Sequence, residues 1–105
     1  MRRVMVSYKV KPDRAAENER YIHAVFAQLE RDRPAGLRYA SFKLDDGLRF
    51  VHIASLEVAD GTNPLTALDA FKSFAAQIKD RCDEPPVTAT LNVIGSYHFF
   101  SGAHS

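Results

Sequence analysis

Two side chains in this sequence could share proton chemistry: Tyr8 and His52. Histidine titrates near pH 6.5 when unperturbed, roughly where a general base is most useful. Each of the two lies in an alternating run. Val4, Val6, Tyr8 and Val10 share one face of the first run, and Leu48, Phe50, His52, Ala54 and Leu56 share one face of the second. If the runs are neighbouring strands with these faces inward, a phenol and an imidazole line one space. There they could bind and deprotonate an enolic or phenolic molecule. The plainer alternative is a core histidine satisfied by one neighbour, with Tyr8 filling space and its hydroxyl reaching the rim. The other titratable groups offer less. His23 falls on a helix flank. His98 and His104 are six apart with no carboxylate or cysteine at ligand spacing, so no metal site is expected. Cys82 ends an apolar helical stripe and reads as a small buried side chain. Gly36, Gly47, Gly61 and Gly95 are isolated, so no phosphate-cradling loop forms.

The elements that must position Tyr8 and His52 follow from periodicity. Residues 3–10 alternate as a strand and stop at Lys11-Pro12-Asp13. Residues 13–31 repeat Asn18, Ile22, Val25 and Leu29 at helical spacing, with Phe26 alongside, and Arg33-Pro34-Ala35-Gly36 breaks that helix. Residues 37–44 and 48–57 are extended runs joined by Asp45-Asp46-Gly47, where Asp-Gly supplies the positive φ of a tight hairpin turn. Residues 59–64 form a loop in which Asn63 caps a second helix and Pro64 opens it. That helix spans 65–82, with Leu68, Phe71, Ala75, Ile78 and Cys82 on its stripe and Phe74 beside them, until Glu84-Pro85-Pro86 breaks it. A final strand covers 88–100, with Ala89, Leu91, Val93, Gly95, Tyr97 and Phe99 on its inward face, and the tail from Ser101 frays. The order β-α-β-β-α-β predicts an α+β, ferredoxin-like fold. Its four-stranded antiparallel sheet has the first and third strands in the middle and two helices on one face.

Composition agrees and excludes several functions. The 105 residues fit a single domain, 46% hydrophobic and 26% charged. Fourteen Lys and Arg against thirteen Asp and Glu give a net charge of +1, which argues against a nucleic-acid surface. No stretch approaches the roughly 18 apolar residues of a membrane span, and the start shows no signal peptide. A single cysteine suits a reducing cytoplasm.

Two helices on one face leave the other face of the sheet bare. The outward set is expected to be Met5, Ser7 and Lys9, then Val51, Ile53 and Ser55, then Ile94, Ser96, His98 and Phe100. In the second strand Leu37 and Tyr39 compete with Ala40, Phe42 and Leu44 for the inward face. A monomer rarely exposes so much contiguous apolar surface, so a homodimer through this face is expected.

The βαββαβ plan resembles the dimeric α/β-barrel superfamily, and within it the antibiotic biosynthesis monooxygenase-like domains. The segments that carry the resemblance are Lys9-Val10-Lys11-Pro12, the Gly36 lead-in to strand two, Val51-His52-Ile53-Ala54-Ser55-Leu56-Glu57 and Val93-Ile94-Gly95-Ser96-Tyr97. It covers residues 3–100. It implies two sheets packed face to face as a barrel and a ligand cavity between each sheet and its own helices. It also implies a small apolar or aromatic ligand, and in some members oxygenation without metal, haem or flavin. On this reading His52 and Tyr8 are the catalytic pair, no cofactor is required, and Phe50, Asn18, Phe71 and Tyr97 line the ligand site. Haem-degrading members use an Asn, Trp and His set. Here Tyr8 stands where the asparagine would be and there is no tryptophan, so haem degradation is not expected.

Overall fold

The computed structural model describes residues 2–58 and 60–99. Strand β1 (Arg2–Val10) leads through a 3-10 turn (Pro12–Arg14) into helix α1 (Ala15–Asp32). Strands β2 (Leu37–Lys43) and β3 (Arg49–Leu56) follow, then two short helices, α2 (Asp69–Ala75) and α3 (Ile78–Arg81), and strand β4 (Cys82–Leu91). The sheet order is β2-β3-β1-β4 with every neighbouring pair antiparallel, so the first and third strands are central as expected.

Local chemistry explains most boundaries. Arg33 adopts a left-handed conformation at φ 45° and returns its N–H to the Leu29 carbonyl, closing α1 before Pro34. In the β2–β3 hairpin, Asp46 Oδ1 accepts from the backbone N–H groups of Leu48 and Arg49 at 2.9 Å each, and Gly47 supplies φ +74°. At Gly36 (φ +78°) a Cβ would collide with Val58 Cγ1, and the left-handed backbone itself disfavours a side chain there. Ile22 and Val25 of α1 are buried against Tyr8, Val10 and Phe50, and each such aliphatic chain contributes about 1.5–3 kcal/mol by leaving water.

The second helical region differs from expectation. The predicted helix over 65–82 is two short helices. Asn63 Oδ1 does cap, accepting from Leu65 and Thr66 N–H at 3.0 and 3.2 Å, but the turns it caps give way to helix only at Asp69. The helix then breaks where Ala76 turns extended and Gln77 adopts φ 62°. The break is stabilised by Arg81, whose Nη2 donates to the Phe74 carbonyl at 2.7 Å and whose Nη1 donates to the Ala76 carbonyl at 3.4 Å. The guanidinium thus serves carbonyls that the next helical turn would have used.

The final strand is also displaced. It runs over Cys82–Leu91 and not 88–100. Pro85 and Pro86 lie inside it, at the register shift between Ser7 paired with Val87 and Lys9 paired with Glu84, where no ladder N–H is required of them. Cys82 is the first residue of this strand and a core residue. Met5 faces Ala89, and Val4 faces Thr90. Residues directly opposite share a face, so Val87, Ala89 and Leu91 point outward and Thr88 and Thr90 inward, the reverse of the predicted facing. Residues 92–99 carry no strand: Ile94 and Tyr97 are exposed, and Phe99 shares a cleft with Phe42 and Ile53 on the outer face. Phe100, His104 and the tail from Ser101 lie outside the described residues. In β2 the facing is resolved: Tyr39 pairs with Ala54 and Ser41 with His52 on the inner face, Ala40 with Ile53 and Phe42 with Val51 on the outer.

Candidate functional site

The register places the candidate pair. Val6 faces His52 and Tyr8 faces Phe50, so Tyr8 and His52 are diagonal neighbours on the inner face. Their rings stack at 5.4 Å and 14°, and Tyr8 stacks on Phe50 at 5.7 Å. Phe74 of α2 closes edge-on over His52 at 5.3 Å. A continuous chain of hydrogen bonds joins these rings to both helical regions. Arg81 Nε donates to Asn18 Oδ1 at 3.2 Å, Asn18 Nδ2 donates to the Tyr8 hydroxyl at 2.9 Å, and that hydroxyl lies 2.7 Å from His52 Nε2. On the other side of the imidazole, His52 Nδ1 lies 2.6 Å from Ser41 Oγ and 3.1 Å from the Tyr39 hydroxyl. Asn18, Arg81, Tyr8 and His52 are all at most 4% exposed.

Burial sets the electrostatics. It lowers the pKa of His52 to about 4, so the ring is neutral at physiological pH. It holds the Tyr8 phenol well above its ordinary value, against the opposing hydrogen bond from Asn18. It pushes Tyr39 up to about 12, against a hydrogen bond from Ser41. The Arg81 guanidinium also lies over the Tyr21 ring at 4.6 Å, a contact that favours a cation in a desolvated place.

Beside this chain is a cavity of about 170 Å³ between the sheet and the α2 region. Val4, Val6, Ala54 and Leu56 form its sheet wall, Leu65, Phe71 and Phe74 its helical wall, and Asn63 and Thr66 its loop side. His52 and Tyr39 are the polar side chains on the sheet wall. An apolar cavity of roughly 150 Å³ is large enough to hold benzene.

The predicted site residues therefore separate. His52 and Phe71 line the cavity. Tyr8 touches His52 but sits behind it in the core. Asn18 lies neither on the cavity wall nor at its mouth; it is the fully buried link between Tyr8 and Arg81. Phe50 packs under Tyr8 and lines a separate cleft with Glu19, His23 and Lys43. Tyr97 is 87% exposed beyond β4 and away from the cavity, because the strand that was to carry it ends at Leu91. Arg81, Ser41 and Tyr39 were not identified as site residues from the sequence. A signal for Ser41 existed: a tight turn centred on Asp46-Gly47 pairs residues whose numbers sum to 93, which sets Ser41 against His52. Arg81 stood three residues beyond Ile78 and seven beyond Phe74, a charge on an apolar stripe.

Comparison with solved structures settles the architecture. A candidate antibiotic biosynthesis monooxygenase from Nitrosomonas europaea superposes with a TM-score of 0.74 at 18% identity, covering 90% of this chain and 100% of that one. The fold is that of the antibiotic biosynthesis monooxygenase-like domains. A Caulobacter crescentus protein of the same designation matches this antibiotic biosynthesis monooxygenase-like fold at 23% identity and TM-score 0.68, covering 90% of each chain. SnoaB, a cofactor-independent oxygenase from Streptomyces nogalater, matches it at 16% identity and TM-score 0.66, covering 90% of this chain and 94% of its own. No family model and no curated protein matches the sequence. Among the described residues no helix is long and apolar enough to cross a membrane.

Proposed function

We propose that the chain acts as a homodimer holding a small apolar or aromatic molecule between the sheet and α2, and that it oxygenates this molecule without a cofactor. The observation that carries the reading is the apolar cavity of about 170 Å³ with His52 on its wall. The fold shared with SnoaB supports it. In such a reaction a deprotonated substrate itself gives an electron to dioxygen, so the protein must orient the substrate, accept its proton and keep water out. His52 is the base at the cavity, Tyr8 positions its ring from behind, and taking up the substrate's proton requires Nε2 to exchange its bond from Tyr8 for that proton. The cavity volume favours a one-ring hydroquinone over a polycyclic substrate. Oxygen uptake with a one-ring hydroquinone is expected to fall at least about tenfold in His52→Ala, general bases contributing roughly a hundredfold or more. Full turnover by that variant would remove His52 from the mechanism.

A second reading, ligand binding without turnover, is favoured by one feature: both His52 nitrogens already have protein partners. Saturable binding of the hydroquinone with no oxygen consumed would select it.

The outer face supports the dimer. Met5, Val51 and Ile53 at its centre adjoin Phe42 and Val87, which are 46% and 65% exposed. Light scattering at micromolar concentration is expected to give twice the 11.8 kDa chain mass. Ile53→Asp should weaken association at least about tenfold by placing a charge in the joint. A native monomer would refute the barrel arrangement.

A further inference from the structure

The hydrogen-bond chain beside the cavity has a direction. Arg81 has only donors, so the Asn18 carbonyl must be the end that meets it, and the Asn18 amide nitrogen the end that gives to Tyr8. The Tyr8 oxygen receives that hydrogen and passes its own to His52 Nε2. A neutral imidazole accepting at Nε2 carries its hydrogen at Nδ1. The Nδ1–H therefore gives to Ser41 Oγ. The Tyr39 oxygen lies 3.1 Å from the same nitrogen, so it too meets the Nδ1–H as an acceptor. Nδ1, already protonated, cannot accept from Tyr39. The Tyr39 hydrogen is therefore not taken up by the imidazole, and Tyr39, unlike Ser41, lines the cavity.

We propose that Arg81 sets the polarity of this chain so that it ends in a donor hydroxyl offered to the cavity, and that the ligand is a ring compound presenting a hydrogen-bond acceptor there, a carbonyl or enolate oxygen. This rests on the reading of the cavity as a ligand site and specifies the oxygen chemistry that site recognises. Arg81 and Asn18 are positioning residues, acting through Tyr8 and His52. The same arginine holds the Phe74 carbonyl, so the element that walls the cavity and the polarity of its polar end depend on one guanidinium.

The tautomer of His52 reports the polarity with no ligand present. Nitrogen–proton correlation NMR of the labelled protein at neutral pH is expected to show Nδ1–H. Asn18→Asp keeps the shape and the pairing with Arg81, but a carboxylate only accepts. Tyr8 must then turn its hydrogen toward that carboxylate and accept from His52, and the tautomer should invert to Nε2–H. Nε2–H in the native protein, or Nδ1–H retained in a folded Asn18→Asp variant, overturns the assignment.

The ligand arm uses two probes of similar size, benzaldehyde and toluene, titrated calorimetrically. Benzaldehyde is expected to bind about tenfold more tightly, one donated hydrogen bond's effect, and Tyr39→Phe should abolish the preference while toluene still binds. Equal affinities in the native protein overturn the ligand class. Binding of neither probe overturns the cavity as a ligand site and the ligand class with it, while the tautomer still decides the chain's polarity.

Discussion

Tyr8→Ala is expected to destabilise the protein by about 3–5 kcal/mol, the range for truncating a large buried aromatic side chain. On the sequence alone this position could have lined a cavity, and the cost would then be about 1–2 kcal/mol, because one side of the ring would already lack protein contacts. The structure selects the larger value. Tyr8 is 2% exposed, stacked on Phe50 and His52, and does not line the cavity. Tyr8→Phe separates the hydroxyl from the ring. It leaves Asn18 Nδ2 and His52 Nε2 without their shared partner and should cost about 1–3 kcal/mol. Denaturant midpoints of the two variants measure both effects. A loss of only 1–2 kcal/mol in the alanine variant, about the cavity value, would return Tyr8 to the cavity wall.

Acid should act on the same place. The folded-state pKa of His52 is lowered by burial from 6.5 to about 4. Between those values the unfolded chain binds a proton that the folded chain does not. Stability from the neutral ring is therefore fully present above about pH 6.5 and is lost as pH falls toward about 4, amounting to about 3 kcal/mol. Carboxylates whose pKa values are lowered, such as Asp46 and Asp60, add their own acid loss over a lower range. His52→Gln keeps those carboxylates and removes the imidazole, so the difference between the two pH–stability curves isolates His52. Parallel curves from about pH 7 to about pH 4 would mean that the ring protonates without unfolding cost.

The parts of the fold legible from sequence were those fixed by contacts within a few residues. The turn at Asp46-Gly47, the end of α1 at Arg33 and the alternation that turns Tyr8 and His52 inward are all local. The second helix was misread because a long apolar stripe signals burial and not continuity: the carbonyls freed at the break are satisfied by Arg81, which no periodicity measures. The final strand was misread because a proline pair ordinarily ends structure. Here it falls at a register shift, and only the pairing with β1 shows that the missing N–H groups go unused. The same error moved Tyr97 out of the site. Of the site itself, the Tyr8–His52 adjacency follows from two alternating strands paired across a sheet. The chain through Asn18 and Arg81 joins residues 63 positions apart and becomes visible only when α1 and α3 are packed.

Pro85 and Pro86 have one more effect. β4 is a rim of the sheet, and a rim strand offers its outer row of amides and carbonyls to any extended chain that meets it. Two consecutive residues without N–H groups interrupt that row near its start. A stray segment could pair along Val87–Leu91 yet find no ladder to continue toward Cys82. Pairing of a further chain along this rim is thus limited to about half the strand, which makes β4 a poorer template for edge-to-edge association.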